Sequence, residues 1–450
     1  MVMIIPLRVS SVKPSLRTLY PTSIIGNKQR SYVPDTAFMW VALVIGAVGT
    51  GASFVGVLVA RRSYEPLYSA TGLASFVLCA WGFGSITAAY DRLDAIVYAF
   101  IFGLAGIAGG YALVSTLLAW LASREQTAEL PEALPEALPR AAVLLLSEVE
   151  PPEYSPSATA VALEGLSNEG LLNASIGVLP FLFMAQKTRY RAAGGISPAA
   201  RQVEAIADKV ARVLGDTVGS VEAAWCEGER NLASRVVDAV ARGFRTIVVA
   251  EAIVADSLEV DAAKRAVDAL RLEDSGISVA YSGPLWRSER IASLVTNRAL
   301  AVAGDLTAAG VVLVGQGQPE DRSRSRRDFD EQETAFLNRV RMLLLERGVP
   351  EQSVRIAWAD WRSPEVTGTV RHLAALGCRR IVISPACFPL DSITTLLDLQ
   401  LSVRQARVDE TVSVVTLPAW HDDEGLAEEL RASVQSTLHA LAEKERPAGD

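Results

Sequence analysis

Three stretches near the N-terminus carry no charged residue: 36–60, 66–90 and 95–123. A helix needs about 20 apolar residues to cross the hydrocarbon core of a bilayer, so each window is long enough, with some tilt. Arg61 and Arg62 close the first window, and Asp91, Arg92 and Asp94 separate the second from the third. Trp40, Tyr68, Tyr90 and Trp120 fall near window ends, where amphipathic rings settle at headgroup level. Gly106, Gly109 and Gly110 supply the small residues that let helix backbones approach closely. The competing arrangement, three buried helices of a soluble core, is disfavoured because such helices seldom run this long without charge. The expectation is a multi-pass three-helix transmembrane domain over 36–123, with the lipid bilayer as partner.

Orientation has two solutions. The tail 1–35 carries Arg8, Lys13, Arg17, Lys28 and Arg30 against Asp35. If this basic tail stays in the cytoplasm, three spans put the rest of the chain outside. The tail is also Ser/Thr-rich and acid-poor, as a transit peptide or an overlong start preceding Met39 would be. In that case Arg61 and Arg62 dominate and the soluble part faces the cytoplasm. Cysteine usage favours this second solution. Cys79, Cys226, Cys378 and Cys387 are scattered, with no CxxC pair, as in a reducing compartment.

The formal net charge of -8 excludes the basic footprint that nucleic acids require. Residues 124–140 contain Glu-Ala-Leu-Pro twice in succession, a helix-breaking pattern that predicts a semi-rigid spacer. Short apolar runs then recur at 141–146, 220–225, 246–250, 277–281, 311–314, 354–358, 381–384 and 412–417. Amphipathic stretches lie between them, at 199–214, 232–241, 287–300 and 331–347. Buried strands alternating with helices predict an α/β fold with parallel sheets.

The chain also repeats itself. Val221-Glu-Ala-Ala-Trp225 matches Val354-Arg-Ile-Ala-Trp358, and Gly243-Phe-Arg-Thr-Ile-Val-Val249 matches Gly377-Cys-Arg-Arg-Ile-Val-Ile383. Two doubly wound half-domains are expected, over 141–300 and 301–450, facing each other across a cleft. Open parallel sheets bind ligands outside the carboxyl ends of their strands, so the loops there should form the cleft walls.

Those loops carry a family resemblance. Lys187-Thr-Arg-Tyr190-Arg-Ala-Ala-Gly194-Gly195-Ile-Ser197-Pro198 resembles the Tyr…Gly-Gly-x-Ser-Pro segment of ferrochelatases. Val312-Leu-Val-Gly-Gln316-Gly-Gln-Pro319 stands where that family has a strand and a His-containing loop. Ser384-Pro-Ala-Cys-Phe-Pro-Leu-Asp391-Ser-Ile-Thr394-Thr-Leu-Leu-Asp398 is similar to its strand, Phe and Asp-His-x-Glu-Thr-Leu helix start. The resemblance implies a chelatase-like fold with a tetrapyrrole in the cleft and Fe²⁺ and porphyrin as substrates or ligands. It implies no tightly bound cofactor. Tyr190, Gly194, Gly195 and Ser197 would contact the macrocycle.

The chain departs from that pattern at the chemistry. Gln316 replaces the family's His, Thr394 its Glu and Ser392 the neighbouring His. Removing two pyrrole N–H protons near neutral pH is work for imidazole or carboxylate, and glutamine has no useful pKa. Candidate replacements are Asp391, Asp398, two helical turns further on, and Glu251, which stands at the end of the first-half strand equivalent to Pro385. Glu251 and Asp398 are the candidate metal ligands, whereas Asp391 also reads as an ordinary helix N-cap. Of the three histidines, His372 and His439 read as helix-surface residues, and His421, beside Asp422, as either a ligand or part of a cap. Arg322-Ser-Arg-Ser-Arg-Arg327 reads as a solvated basic loop or a contact for headgroups or propionates.

Two functions of different class follow. One is a membrane-anchored ferrochelatase-like lyase of haem biosynthesis. The other is a non-catalytic haem or porphyrin carrier, sensor or scaffold for other haem-synthesis proteins. A cobalt or nickel chelatase acting on a more polar tetrapyrrole is a third expectation.

Overall fold

The computed structural model describes residues 36–444, apart from 91, 123–127, 132, 169, 171, 176, 229 and 319–326. The basic tail, residues 322–326 of the basic loop and part of the Pro-rich spacer lie outside the described residues.

Three helices, α1 (Thr36–Val59), α2 (Glu65–Ala89) and α3 (Leu93–Ala122), are long and apolar enough to cross a membrane. Helix α1 is the middle of the bundle, and glycines set its distance from both neighbours. A Cβ on Gly82 of α2 would stand 2.7 Å from the Leu43 backbone nitrogen. A Cβ on Gly110 of α3 would collide with the Val48 carbonyl, and one on Gly51 of α1 with the Ile107 carbonyl. Gly106 meets Ala47 in the same seam, whereas Gly109 points into open space. Hydrocarbon offers no hydrophobic force between helices, so such close backbone contact is what favours their association.

The rest is α/β. Strands β1 (Ala142–Ser147), β2 (Ser220–Trp225), β3 (Thr246–Glu251) and β4 (Ser278–Tyr281) form one parallel sheet, in the order β2-β1-β3-β4. Strands β5 (Ala309–Gly315), β6 (Val354–Trp358), β7 (Arg380–Ser384) and β8 (Ser413–Thr416) form a second, in the order β6-β5-β7-β8. The repeated segments are the edge strands β2 and β6 and the inner strands β3 and β7. The central strands β1 and β5 are buried along their whole length, which is why they read as unbroken apolar runs.

Alternate residues of each strand face two cores. Val143, Leu145, Val311 and Leu313 point into one core shared by both lobes. It is filled by α6 (Ala199–Leu214), α9 (Glu289–Ala303), α10 (Arg327–Glu346) and α13 (Glu424–Lys444). Leu144 and Leu146 face α7 (Leu232–Ala241) and α8 (Leu258–Asp268) on the other side of the first sheet. Val312 and Val314 face α11 (Val366–Ala375) on the far side of the second. The lobes exchange helices. Helix α9, from the first half of the sequence, lies on β5 and β7, and α13, from the second, lies on α6 and β3.

Three further elements complete the description. Helices α4 (Pro156–Asn168) and α5 (Leu179–Ala192) join the first lobe to the bundle. A single π-helical turn, Thr394–Asp398, leads into α12 (Leu399–Ala406). The spacer is tied down where described: Leu138 N–H donates to the Gly243 carbonyl at 2.8 Å, and Leu130 packs on the first lobe.

The glycine seam makes a direct prediction. Gly110→Leu should lower the thermal midpoint of the detergent-solubilised protein by several degrees, and Gly109→Leu, facing outward, should leave it within a degree or so.

Candidate functional site at the lobe junction

Register identifies which residues the duplication makes equivalent. Ala142 of β1 pairs with Ile247, and Gly310 of β5 pairs with Ile381, the matching positions of the repeat. Six residues further on, Glu148 and Gln316 are therefore equivalent, each just past the carboxyl end of its central strand. They lie close together across the junction, where Gln316 is among the polar side chains acting on the Glu148 carboxyl.

Glu148 is half-buried and held in an acidic neighbourhood. Burial, then repulsion from Glu259 and Glu333, push its carboxyl up to about 7, against the polar side chains of Ser257 and Gln316. Glu333, on α10, is buried and takes the backbone N–H of Gln316 at 2.5 Å and of Gly317 at 3.2 Å. Burial raises its pKa also, and the buried Cys387 thiol beside it is pushed up by burial and by the Glu333 charge. The two glycines flanking Gln316 serve this arrangement. A Cβ on Gly315 would stand 2.6 Å from the Trp358 ring and 3.0 Å from Glu333 Oε1, and Gly317 has φ +82°.

The expected residues around Tyr190 form a second group. Tyr190 is buried and donates from its hydroxyl to the Pro151 carbonyl at 2.9 Å, with Tyr154 edge-on at 6.3 Å. Gly194 and Gly195, at φ +95° and +89°, make the turn that brings Ser197 back beneath it. The Ser197 hydroxyl donates to Glu150 Oε1 at 2.6 Å, and so does the Ile393 backbone N–H at 2.6 Å. Burial raises the pKa of Glu150 against these two bonds.

The carboxylates proposed as substitutes are all engaged. Asp391 takes the Gln202 side-chain amide at 3.1 Å and the Ala419 N–H at 2.9 Å, while its own N–H donates to Gln202 Oε1 at 2.7 Å. It therefore ties the second lobe to α6 of the first. His421 Nδ1 lies 3.8 Å from the same carboxylate. Burial lowers the pKa of His421 against attraction from Asp391, so the imidazole is neutral at pH 7. Asp398, at the end of the π-helical turn, is ion-paired with Arg189 of α5. Thr394 opens that turn and is half-buried. Glu251, fully buried at the end of β3, faces the Lys264 ammonium at 2.9 Å, which also pairs with Asp256 at 3.0 Å.

Asp391, Asp398 and Thr394 thus gather with Glu150, Ser197 and Tyr190, whereas Gln316 gathers with Glu148, Glu333 and Cys387. Glu251 stands apart, on Lys264. Among the described residues, no three His, Cys, Asp or Glu side chains lie at metal-ligand spacing. The junction is closed in this structure: besides these bonds, Asp256 N–H donates to Gln332 at 2.9 Å across it. A planar ligand entering between the central strands must first part Glu148 from Gln316. Glu148 is the residue that the sequence motifs did not single out. Its only signal was the register of the repeat carried back from Ile247 and Ile381 to the central strands.

No family model matches this sequence, and neither does any curated protein. Solved structures do resemble it, two of them SirB proteins. One is SirB from Bacillus subtilis with Fe³⁺, at 15% identity and TM-score 0.44 over 68% of this chain and 98% of that one. The other is the sirohydrochlorin chelatase SirB from Bacillus subtilis subspecies spizizenii in complex with cobalt, at 12% identity and TM-score 0.41 over 69% and 98%.

Two predictions follow from the geometry. Ser197→Ala strips one donor from a buried carboxylate and should cost roughly 1–3 kcal/mol of unfolding free energy in chemical denaturation. Glu148 has a raised folded pKa, so the native state binds the extra proton and stability falls as pH rises from about 4.5 towards about 7. Glu148→Gln removes that contribution. Its thermal midpoint should match wild type near pH 4 and rise relative to wild type as the pH approaches 7.

Proposed function

We propose that this chain is a membrane-anchored, tetrapyrrole-binding protein of the chelatase type, and that Glu148 is its proton acceptor for metal insertion. The observation that carries the proposal is Glu148 itself. It is a carboxyl that burial and its acidic neighbours push up to about 7, at the carboxyl end of a central strand, equivalent by register to the residue standing in for the ferrochelatase histidine. Inserting Fe²⁺ into a porphyrin releases two pyrrole protons. A carboxylate with a pKa near the working pH can take them one at a time and pass each to water. Gln316 then keeps a hydrogen-bonding role without titrating. The π-helical turn beside Thr394 supports a site at the same junction, since such turns concentrate at functional positions. Fe²⁺ and porphyrin are substrates in this scheme, and no resident cofactor is required.

Anchoring suits the ligand, because a tethered domain can collect an apolar macrocycle from the bilayer. The soluble part sits at the bundle end that carries Arg61 and Arg62, so the positive-inside rule favours a cytoplasmic location and access to other haem-synthesis proteins. The carrier or scaffold function stays in contention for one specific reason: Asp391 and Asp398 are both occupied in ties between structural elements.

An anaerobic assay of the full chain in nanodiscs, with Fe²⁺ and protoporphyrin or coproporphyrin, decides between them. Turnover that falls by roughly 10²-fold or more in Glu148→Gln, with porphyrin binding retained, is the expected result. Spectral binding without any metalloporphyrin, in wild type, would replace catalysis by carriage. Parallel runs with Co²⁺ and Ni²⁺ report the metal.

A further inference from the structure

We infer that the α4–α5 hairpin is a membrane-surface element, seated in the headgroup layer of the same bilayer that α1–α3 cross; this rests on the membrane reading above. The sequence of α5 is divided along its length. Residues 179–184 are Leu-Pro-Phe-Leu-Phe-Met, and the second half carries Lys187, Arg189 and Arg191.

The apolar half is packed against the spans. Phe183 is fully buried in a cluster with Val55, Leu58 and Val59 of α1, joined by Tyr111, Val114 and Leu118 of α3 and Ala160 of α4. Val55 stands six residues before Arg61, about 9 Å along the helix axis at ~1.5 Å per residue. That is the depth, roughly 5–10 Å, to which interfacial helices sink their apolar faces. Two hydrogen bonds fix the tilt. Tyr111 reaches the Gly177 carbonyl just before α5 at 2.5 Å, within the span, whereas Lys187 reaches the Ala60 carbonyl at 3.3 Å, beside Arg61. Helix α5 therefore climbs out of the bilayer, with its apolar start deep and its basic end at headgroup level.

Among the described residues, the opposite face is left exposed. Val178, Phe181 and Met184 are 47%, 43% and 38% exposed, and Val161 of α4 is 44% exposed. They continue the exposed apolar surface of the spans, where Leu117 of α3 is 49% exposed, at the level of the packed cluster. Lipid is the occupant that matches this continuity. Arg189 and Arg191 then sit where basic side chains meet phosphates, while their ion pairs with Asp398 and Glu65 hold the helix end in place.

Depth-dependent quenching tests the inference on the full chain in nanodiscs whose lipids carry a nitroxide on the headgroup or the upper acyl chain. A solvent-sensitive fluorophore is placed at F181C, at L73C within α2 and at V213C on the outer side of α6, with unlabelled wild type reporting any reaction of native cysteines. M184C serves if F181C does not fold. Fluorescence loss at F181C comparable to that at L73C, with none at V213C, is expected. Quenching at L73C but not at F181C or M184C overturns the inference and leaves the spans in the membrane. Absence of quenching at L73C as well removes the membrane reading and the inference with it.

Discussion

The end of a helix presents carbonyls with no partner in that helix, and at the end of α1 the α/β part supplies their partners. Lys187 Nζ reaches the Val57 carbonyl at 2.5 Å, and the Tyr154 hydroxyl the Val59 carbonyl at 2.8 Å. The Lys187 ammonium is almost fully buried, so it needs a counter-charge, and Glu65 at the start of α2 provides it at 3.0 Å. The same helix, one turn on, places Arg189 against Asp398 and Tyr190 under Pro151. One helix thus docks the bundle and fixes the edge of the lobe junction. Bundle contact and junction geometry are mechanically a single unit.

The junction gathers carboxylates that water would otherwise solvate. Glu148, Glu150 and Glu333 all have raised pKa values, and burial is the leading cause for each. Their environments differ in a way that separates roles. Glu150 and Glu333 accept backbone N–H donors from the opposite wall or the neighbouring loop, which suits fixed, structural acceptors. Glu148 has only the side chains of Ser257 and Gln316 opposing its raised pKa, and it faces like charges. That difference is what the proposed role of Glu148 rests on.

Much of the fold was legible because central strands and long helices obey simple periodicities. The runs at 220–225 and 354–358 and the helices at 199–214 and 232–241 coincide with β2, β6, α6 and α7. Gly106 and Gly110 proved to be contact points in the bundle, as small residues in apolar helices suggest. Helices α4 and α5 were not legible. Many of their apolar residues pack on the three-helix bundle or are exposed rather than entering the α/β cores, so no 3.6-residue stripe separates inside from outside. Glu148 was missed for a different reason. A lone acid after a strand looks like a loop residue until parallel pairing shows which residue of the other lobe it opposes. In the motif around Tyr190, expected to contact a macrocycle, the hydroxyl donates to the Pro151 carbonyl and Ser197 donates to Glu150.

The helix exchange has a consequence for synthesis. Helix α13 covers β3 and β4 of the first sheet yet is translated after every other element described here. Until it leaves the ribosome, one face of that sheet, including Val248 and Ala250, lacks its cover. By then the strands of the first lobe have long since emerged, so that lobe waits, partly open. Domains usually mature in the order in which they emerge. Here the two lobes must close together, and a ribosome stalled late in the message leaves both unfinished.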